Sequence, residues 1–293
     1  LLTVVMGKDV MQRLDFRDKV PDIPAYQFPE PPARALAAML QYRQWCEKPE
    51  GKIKRFTVHD AKVRKILERK AAVEEHYLAD NEVFEILQAY GLPVVESQTA
   101  KTHEEAARAA EKLGFPVVVK GIAKGLVHKS DIGGVIVDVR NRGEVIEAFY
   151  DIQKRVNKRS KDAFEAVRIQ KMIQDGKEVI LGMTSIPQFG PLLMFGLGGI
   201  YVETIKDVQF RTAPITDLEA KEMISSIKGF PILQGVRGDT GADLNVIKEA
   251  LQRLSQLVTD FECIHAIDIN PFMVSSDARS SFIVDARILV GRN

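Results

Sequence analysis

The sequence is short of the features that mark several protein classes. It has only two cysteines, Cys46 and Cys263. They lie far apart with no C-x-x-C spacing, so neither a disulfide frame nor a thiolate zinc site is indicated, and reduced thiols in a cytoplasmic protein are expected. No apolar run approaches the length that spans a bilayer, and no basic-then-apolar leader opens the chain, so no membrane partner is expected. Neither sign of charge is in excess: 41 Lys and Arg stand against 40 Asp and Glu, a formal net charge of +1. Bulk charge therefore gives no pull toward nucleic acid. Internal repeats and low-complexity segments are missing. So is G-x-G-x-x-G opening a helix: Gly196, Gly198 and Gly199 sit in F-G-L-G-G, which sets aside a Rossmann site.

What is present suits a two-domain chain or one large two-lobed domain: 293 residues with an apolar share of 45%. LLTVVMG at the start reads as a buried strand without an initiator Met, so the chain is expected to be a piece of something longer. Residues 1–50 add one helix, entered at Pro31-Pro32, with Leu36, Met39 and Leu40 at helical spacing. One strand and one helix are too little to fold alone. Residues 51–75 are highly charged and weakly patterned, and read as a linker with some helix.

From residue 76 the pattern becomes regular. LADNEVFEILQAYG is an amphipathic helix, capped by Asp80 or Asn81 and stopped by Gly91. Thr102 and Glu105 form a T-x-x-E capping box, as do Thr216 and Glu219. VVVK and GGVIVDV are strands, and Asp175-Gly176 between two β-rich runs predicts a hairpin. Helices mix with antiparallel strands, so the fold class is α+β.

Several residues can carry chemistry. Lys120 ends a Val-Val-Val strand; a lysine there either reaches solvent past the strand end or meets a phosphate as a point charge. In GLVHKSDIGGV, Gly133 and Gly134 allow close backbone approach to an anion, and His128 titrates near neutrality, fit for a base or a phosphoryl acceptor. Asp268 and Asn270 alternate on one strand and share a face, and Asp285 on the next strand would come alongside them. Oxygens of that kind suit Mg²⁺, which takes few protein ligands. Taken alone, D-x-N-P is also a plain turn. In IQKMIQDGKEVILG a strand edge can offer backbone groups to an adenine, with Glu178 toward ribose hydroxyls. Gly198 and Gly199 form a flexible turn, and Arg211 in FRTAP is a candidate phosphate clamp.

Taken in order, VVVKG, HKSDIGGV, QKMIQDGKEVILGM, FGPLLMFGLGGIYVE, FRTAPI, DINPF and VDARI resemble the ATP-grasp part of the NDP-forming acyl-CoA synthetases, relatives of succinyl-CoA synthetase, over roughly residues 76–290. YQFPEPPARALAAMLQYRQW resembles the tail of the CoA-ligase-like α/β domain that precedes ATP-grasp in fused members. The resemblance implies an ATP-grasp fold of two α+β lobes over 76–293, the smaller about 99–172, holding ATP or ADP between them. It implies Lys120 on the phosphates, Gln170, Lys171 and Met172 at the adenine, Glu178 at the ribose and Gly198-Gly199 in a nucleotide-binding turn. Asn270 and Asp285 match Mg²⁺ ligands, Asp268 an acidic position near an incoming phosphohistidine, Arg211 a phosphate contact and His128 a second phosphoryl relay.

The implied reaction is reversible: acyl-CoA, phosphate and ADP give a carboxylic acid, CoA and ATP through an acyl phosphate and a phosphohistidine. Ala266 stands where the family often has an acidic residue, one carboxylate fewer. Within these 293 residues no glycine-rich phosphohistidine loop and no CoA-binding Rossmann domain is found; both are expected in the rest of a longer chain or in a partner subunit. The alternative is a nucleotide- or acyl-CoA-sensing regulatory domain of a protein acetyltransferase of the same architecture.

Overall fold

Period-two alternation builds the largest element of this protein, a seven-stranded sheet. The computed structural model describes residues 2–4, 23–70, 75–123, 133–159, 163–199, 207–236 and 238–291. The described chain falls into two units, Leu1–Gly51 and Lys52–Asn293. In the first, β1 (Thr3–Val4) pairs in parallel with β2 (Ala25–Tyr26), and α1 (Glu30–Cys46) starts at the expected proline pair. The side chains of its Leu36, Met39, Leu40, Tyr42 and Trp45 are exposed.

The second unit holds two hydrophobic cores. The charge pattern suggested a linker over residues 51–75, but among its described residues the part from Lys52 to Lys70 is tied to the second unit. Lys52 O accepts from Asp217 N at 3.0 Å, and α2 (Asp60–Lys70) inserts Val63 and Leu67 into the larger core at 0% and 2% exposure. The apolar positions are few but fall at i and i+4, enough for one buried stripe. After β3 (His76–Tyr77), α3 (Asp80–Ala89) buries Val83, Phe84, Ile86 and Leu87. Neither Asp80 nor Asn81 caps it: Ala79 holds the cap position, and Glu82 Oε2 accepts from Ala79 N at 3.1 Å.

The smaller core lies between a four-stranded sheet and two helices. Its strands run in the order β4 (Ser97–Ala100), β7 (Phe164–Lys171), β5 (Val117–Ala123), β6 (Val135–Val139). The helices are α4 (His103–Leu113) and α5 (Arg142–Arg159). Thr102 Oγ1 accepts from Glu105 N at 3.2 Å, while Glu105 returns the contact to Lys101 N rather than to Thr102.

The larger sheet follows the order β10 (Val208–Thr212), β9 (Gly190–Leu197), β8 (Lys177–Ile186), β11 (Ile264–Val274), β13 (Ala286–Val290), β3, with β12 (Phe282–Ile283) beside β11. One face packs on α6 (Asp217–Ser225), the short α7 (Phe230–Gln234) and α8 (Leu244–Asp260). The Thr216–Glu219 capping box forms in both directions. Asp175-Gly176 is not a hairpin turn. β7 pairs with β4 and β5, and β8 with β9 and β11, so this dipeptide carries the chain from one sheet to the other.

Candidate functional site

The site lies where the two sheets of the second unit meet. Lys120 on β5 and Arg168 on β7 are register partners, as are Val118 and Gln170. Paired residues share a face, so Lys120, Arg168 and Gln170 project from the side of the small sheet opposite its core. Val117, Val119, Val167 and Ile169 fill that core. The polar face is buried as well: exposure is 8% for Lys120, 4% for Arg168 and 0% for Gln170.

What covers it is the break between β12 and β13. Lys120 Nζ donates to Val284 O at 3.1 Å, and Gln170 Nε2 donates to the same oxygen at 2.8 Å. Lys120 Nζ also lies 3.8 Å from Asp285 Oδ2, while Asp285 Oδ1 accepts from Ala286 N at 3.0 Å. Gln170 Oε1 is buried without a hydrogen-bond partner. The strand runs on past Lys120 to Ala123, so the lysine is mid-strand rather than at an end, and it meets a carbonyl and a carboxylate of the other sheet.

On that sheet Ile267 and Ile269 enter the core, and Asp268 and Asn270 take the opposite face. Asp285 O accepts from Asn270 N at 3.1 Å, so the two residues meet, with Asp285 in the break between β12 and β13 rather than on a strand as expected. Asp268 pairs across the strands with Arg287 on one side and Gly182 on the other. Its carboxyl keeps exposed surface, yet the surrounding strands strip away enough water to push its pKa up. Asp285 adds to the rise and Arg287 opposes it. Ala266 stands on the same face, where it adds no charge.

Glu178 shares this open face with Gly182, two positions in each step along β8. Gly198 N donates to Glu178 O at 2.7 Å. A Cβ on Gly198 would lie 2.9 Å from Glu178 Cβ, and one on Gly199, at φ +64°, 3.0 Å from Glu178 Oε2. The turn closes over Glu178 because both positions are glycine.

Lys171 and Met172 continue β7 into the crossing between sheets. Their amides are already used: Lys171 N donates to Glu96 O at 3.1 Å and Met172 N to Pro116 O at 3.2 Å. Arg211 is not brought to the site. It pairs with Leu193, which pairs with Met183, which pairs with the core residue Ile267. That row faces the helices, where Arg211 lies 3.7 Å from Glu222 of α6. His128 lies outside the described residues. Two site residues escaped the sequence reading, Arg168 and Arg287. Each was marked by alternation, Arg168 two positions before Gln170 and Arg287 two after Asp285.

Among the described residues no group of three or more His, Cys, Asp or Glu forms that could hold a metal ion. Asn270 and Asp285 offer one amide oxygen and one carboxylate. That donor set fits Mg²⁺, which binds through one or two carboxylates and completes its shell with water and phosphate oxygens. No helix among the described residues is long and apolar enough to cross a membrane.

The family model of the ATP-grasp domain matches residues 69–290. The chain belongs to the ATP-grasp family. Its similarity runs to the ADP-forming acyl-CoA ligases within that family. It is 43% identical to the 4-hydroxybutyrate–CoA ligase (ADP-forming) of Nitrosopumilus maritimus over 98% of this chain and 41% of that protein. It is 43% identical to subunit beta of acetate–CoA ligase (ADP-forming) I of Pyrococcus furiosus, over 78% of this chain and 98% of the subunit. The ATP-grasp chain thus spans about two fifths of the first relative and nearly all of the second. A solved structure from Ca. Korarchaeum cryptofilum, of a dinucleotide-forming acetyl-coenzyme A synthetase 1 with coenzyme A and Ca-AMPCP, superposes with a TM-score of 0.72 at 36% identity, covering 78% of this chain and 99% of that one. The same synthetase with Mg-AMPPCP gives 0.67 and 34% over the same shares, and its phosphohistidine segment points towards the nucleotide binding site.

Proposed function

We propose that this ATP-grasp chain is the nucleotide-binding, phosphoryl-transfer module of an ADP-forming acyl-CoA ligase. The whole protein would convert acyl-CoA, phosphate and ADP to a carboxylic acid, CoA and ATP, reversibly. The observation that carries the reading is the joint donation of Lys120 and Gln170 to Val284 O, next to Asp285. It sets one lobe's buried cation against the other's carboxylate and amide, an arrangement suited to a phosphate chain and its counter-ion.

In this reading Lys120 meets the nucleotide phosphates as a point charge. Gln170, wholly buried with its amide on Val284 O, backs the adenine position, and Lys171 and Met172 line the base with groups other than their engaged amides. Glu178 binds the ribose hydroxyls beneath the Gly198-Gly199 turn. Asn270 and Asp285 hold Mg²⁺, which when bound neutralises charge on the phosphate oxygens. Asp268, more readily protonated than an ordinary carboxylate, stands where a phosphohistidine from the rest of the protein arrives. There the phosphorus–nitrogen bond breaks and a phosphorus–oxygen bond to the β-phosphate of ADP forms. Such transfer needs positioning and charge neutralisation more than covalent help from the protein. Arg211 faces the helices and takes no part.

Support for a ligase over a sensing domain comes from the relatives, which are named as ligases. The partners are the CoA-binding and phosphohistidine-loop domains of the longer protein or of another subunit, and the location is the cytoplasm. His128 serves as a second phosphoryl relay. His128→Ala in the intact ligase tests this role: nucleotide binding is retained and phosphoryl transfer is abolished, whereas wild-type turnover removes the relay.

A further inference from the structure

A cavity of about 440 Å³ lies on the far side of Arg168 from Lys120, and nothing in the nucleotide reading uses it. One wall is α3, through Phe84, Glu85 and Gln88; the others are β4 with the preceding Glu96, and the end of α4, through Lys112. The volume is that of a small-molecule site.

Arg168 is the residue that gives it chemistry. Its guanidinium carries five N–H donors in a fixed fork, and it is 4% exposed. Among the described residues it makes no hydrogen bond. Its carboxylate neighbour Asp80 stands at 3.7 Å, and the Phe84 ring lies beneath it at 4.8 Å from the centroid. The Arg168 nitrogens are not among the fully buried atoms that lack a partner, so with Asp80 on one side and the Phe84 ring beneath they keep access to the cavity that Arg168 lines. Burial accordingly pulls the Arg168 pKa down, with Asp80 and Asp285 acting against the fall. A ligand oxyanion would supply two acceptors in the geometry of the fork.

The remaining charges limit the ligand. Lys112 adds a second cation to the lining. Glu85 is occupied by Lys62 at 3.4 Å, while Glu96 presents an acid. With Glu85 on Lys62 and Asp80 beside Arg168, little net positive charge is left, which suits one oxyanion group better than a polyanion. We propose that this cavity binds a small molecule through one oxyanion group, carboxylate or phosphate, seated on the Arg168 fork. Because β7 separates β4 from β5, this site and the Lys120 site lie on opposite flanks of one strand.

The test is calorimetric titration of the chain with inorganic phosphate and, separately, with acetate, in buffer free of both. Saturable binding of either anion is expected, and whichever binds identifies the oxyanion. Arg168→Met should weaken it at least tenfold. Gln88→Trp, on the exposed face of α3, should do the same by filling the cavity while leaving Arg168 in place. Two results overturn the proposal: no saturable binding of either anion, or binding that survives both substitutions and is lost in Lys120→Ala, which would assign the anion to the nucleotide cleft.

Discussion

The ammonium of Lys120 lies 3.8 Å from the carboxylate of Asp285, across the junction of two sheets. The two charges are partners before any nucleotide arrives. A phosphate entering here would meet the lysine, and a divalent cation the aspartate, so each ligand takes over a position already shaped for its charge. Lys120→Ala should weaken ATP binding by about 1.5–3 kcal/mol, the worth of a charge-assisted contact. Calorimetry on the variant checks this, and unchanged affinity would remove the phosphate role.

Metal dependence separates Asn270 and Asp285 from their neighbours. With both changed to Ala, the ATP affinity measured with Mg²⁺ should fall to the value measured in EDTA. A double variant that still binds ATP more tightly with Mg²⁺ than without it would place the metal elsewhere.

Gly198 is a steric test. A Cβ there lies 2.9 Å from that of Glu178, closer than two carbons can stand. Gly198→Ala should force the turn away from Glu178 and lower ATP affinity, with only a small change in thermal stability. Equal affinity in wild type and variant would show that the turn does not contact nucleotide.

Leu67 tests the packing of α2. It is almost wholly buried in the larger core. Leu67→Ala should cost about 2–5 kcal/mol in urea unfolding, as truncation in a packed core does. A loss within about 0.5 kcal/mol, the range of surface substitutions, would mean that the segment is a linker after all.

Much of the site was legible because strand alternation is a local property. Asp268 and Asn270 share a face by period two, whereas the meeting of Asn270 N with Asp285 O depends on the return of the chain after β12. The glycine pair over Glu178 and the lysine within β5 were legible for the same reason: each is an oddity of residue type within a few positions, although β5 runs on to Ala123 where the sequence suggested an end at Lys120. What escaped depends on pairing between distant strands. Asp175-Gly176 reports a bend, but not that the strands on either side join different sheets. Arg211 alternates along β10 as well as any residue, yet its face is set only by register with Leu193 and Met183. Arg168 looked like an ordinary strand arginine until α3 brought Phe84 and Asp80 against it. In α2, two apolar residues among many charges were too weak a stripe to outweigh the composition of the segment.

Lys120, Asn270 and Asp285 are proposed to form one nucleotide–metal site. Calorimetric titration of the chain with ATP, in Mg²⁺ and in EDTA, tests it most directly. Saturable binding that is tighter in Mg²⁺, and that weakens in Lys120→Ala, is the predicted result. No saturable binding in either condition, or binding indifferent to Mg²⁺ and to Lys120, would contradict it.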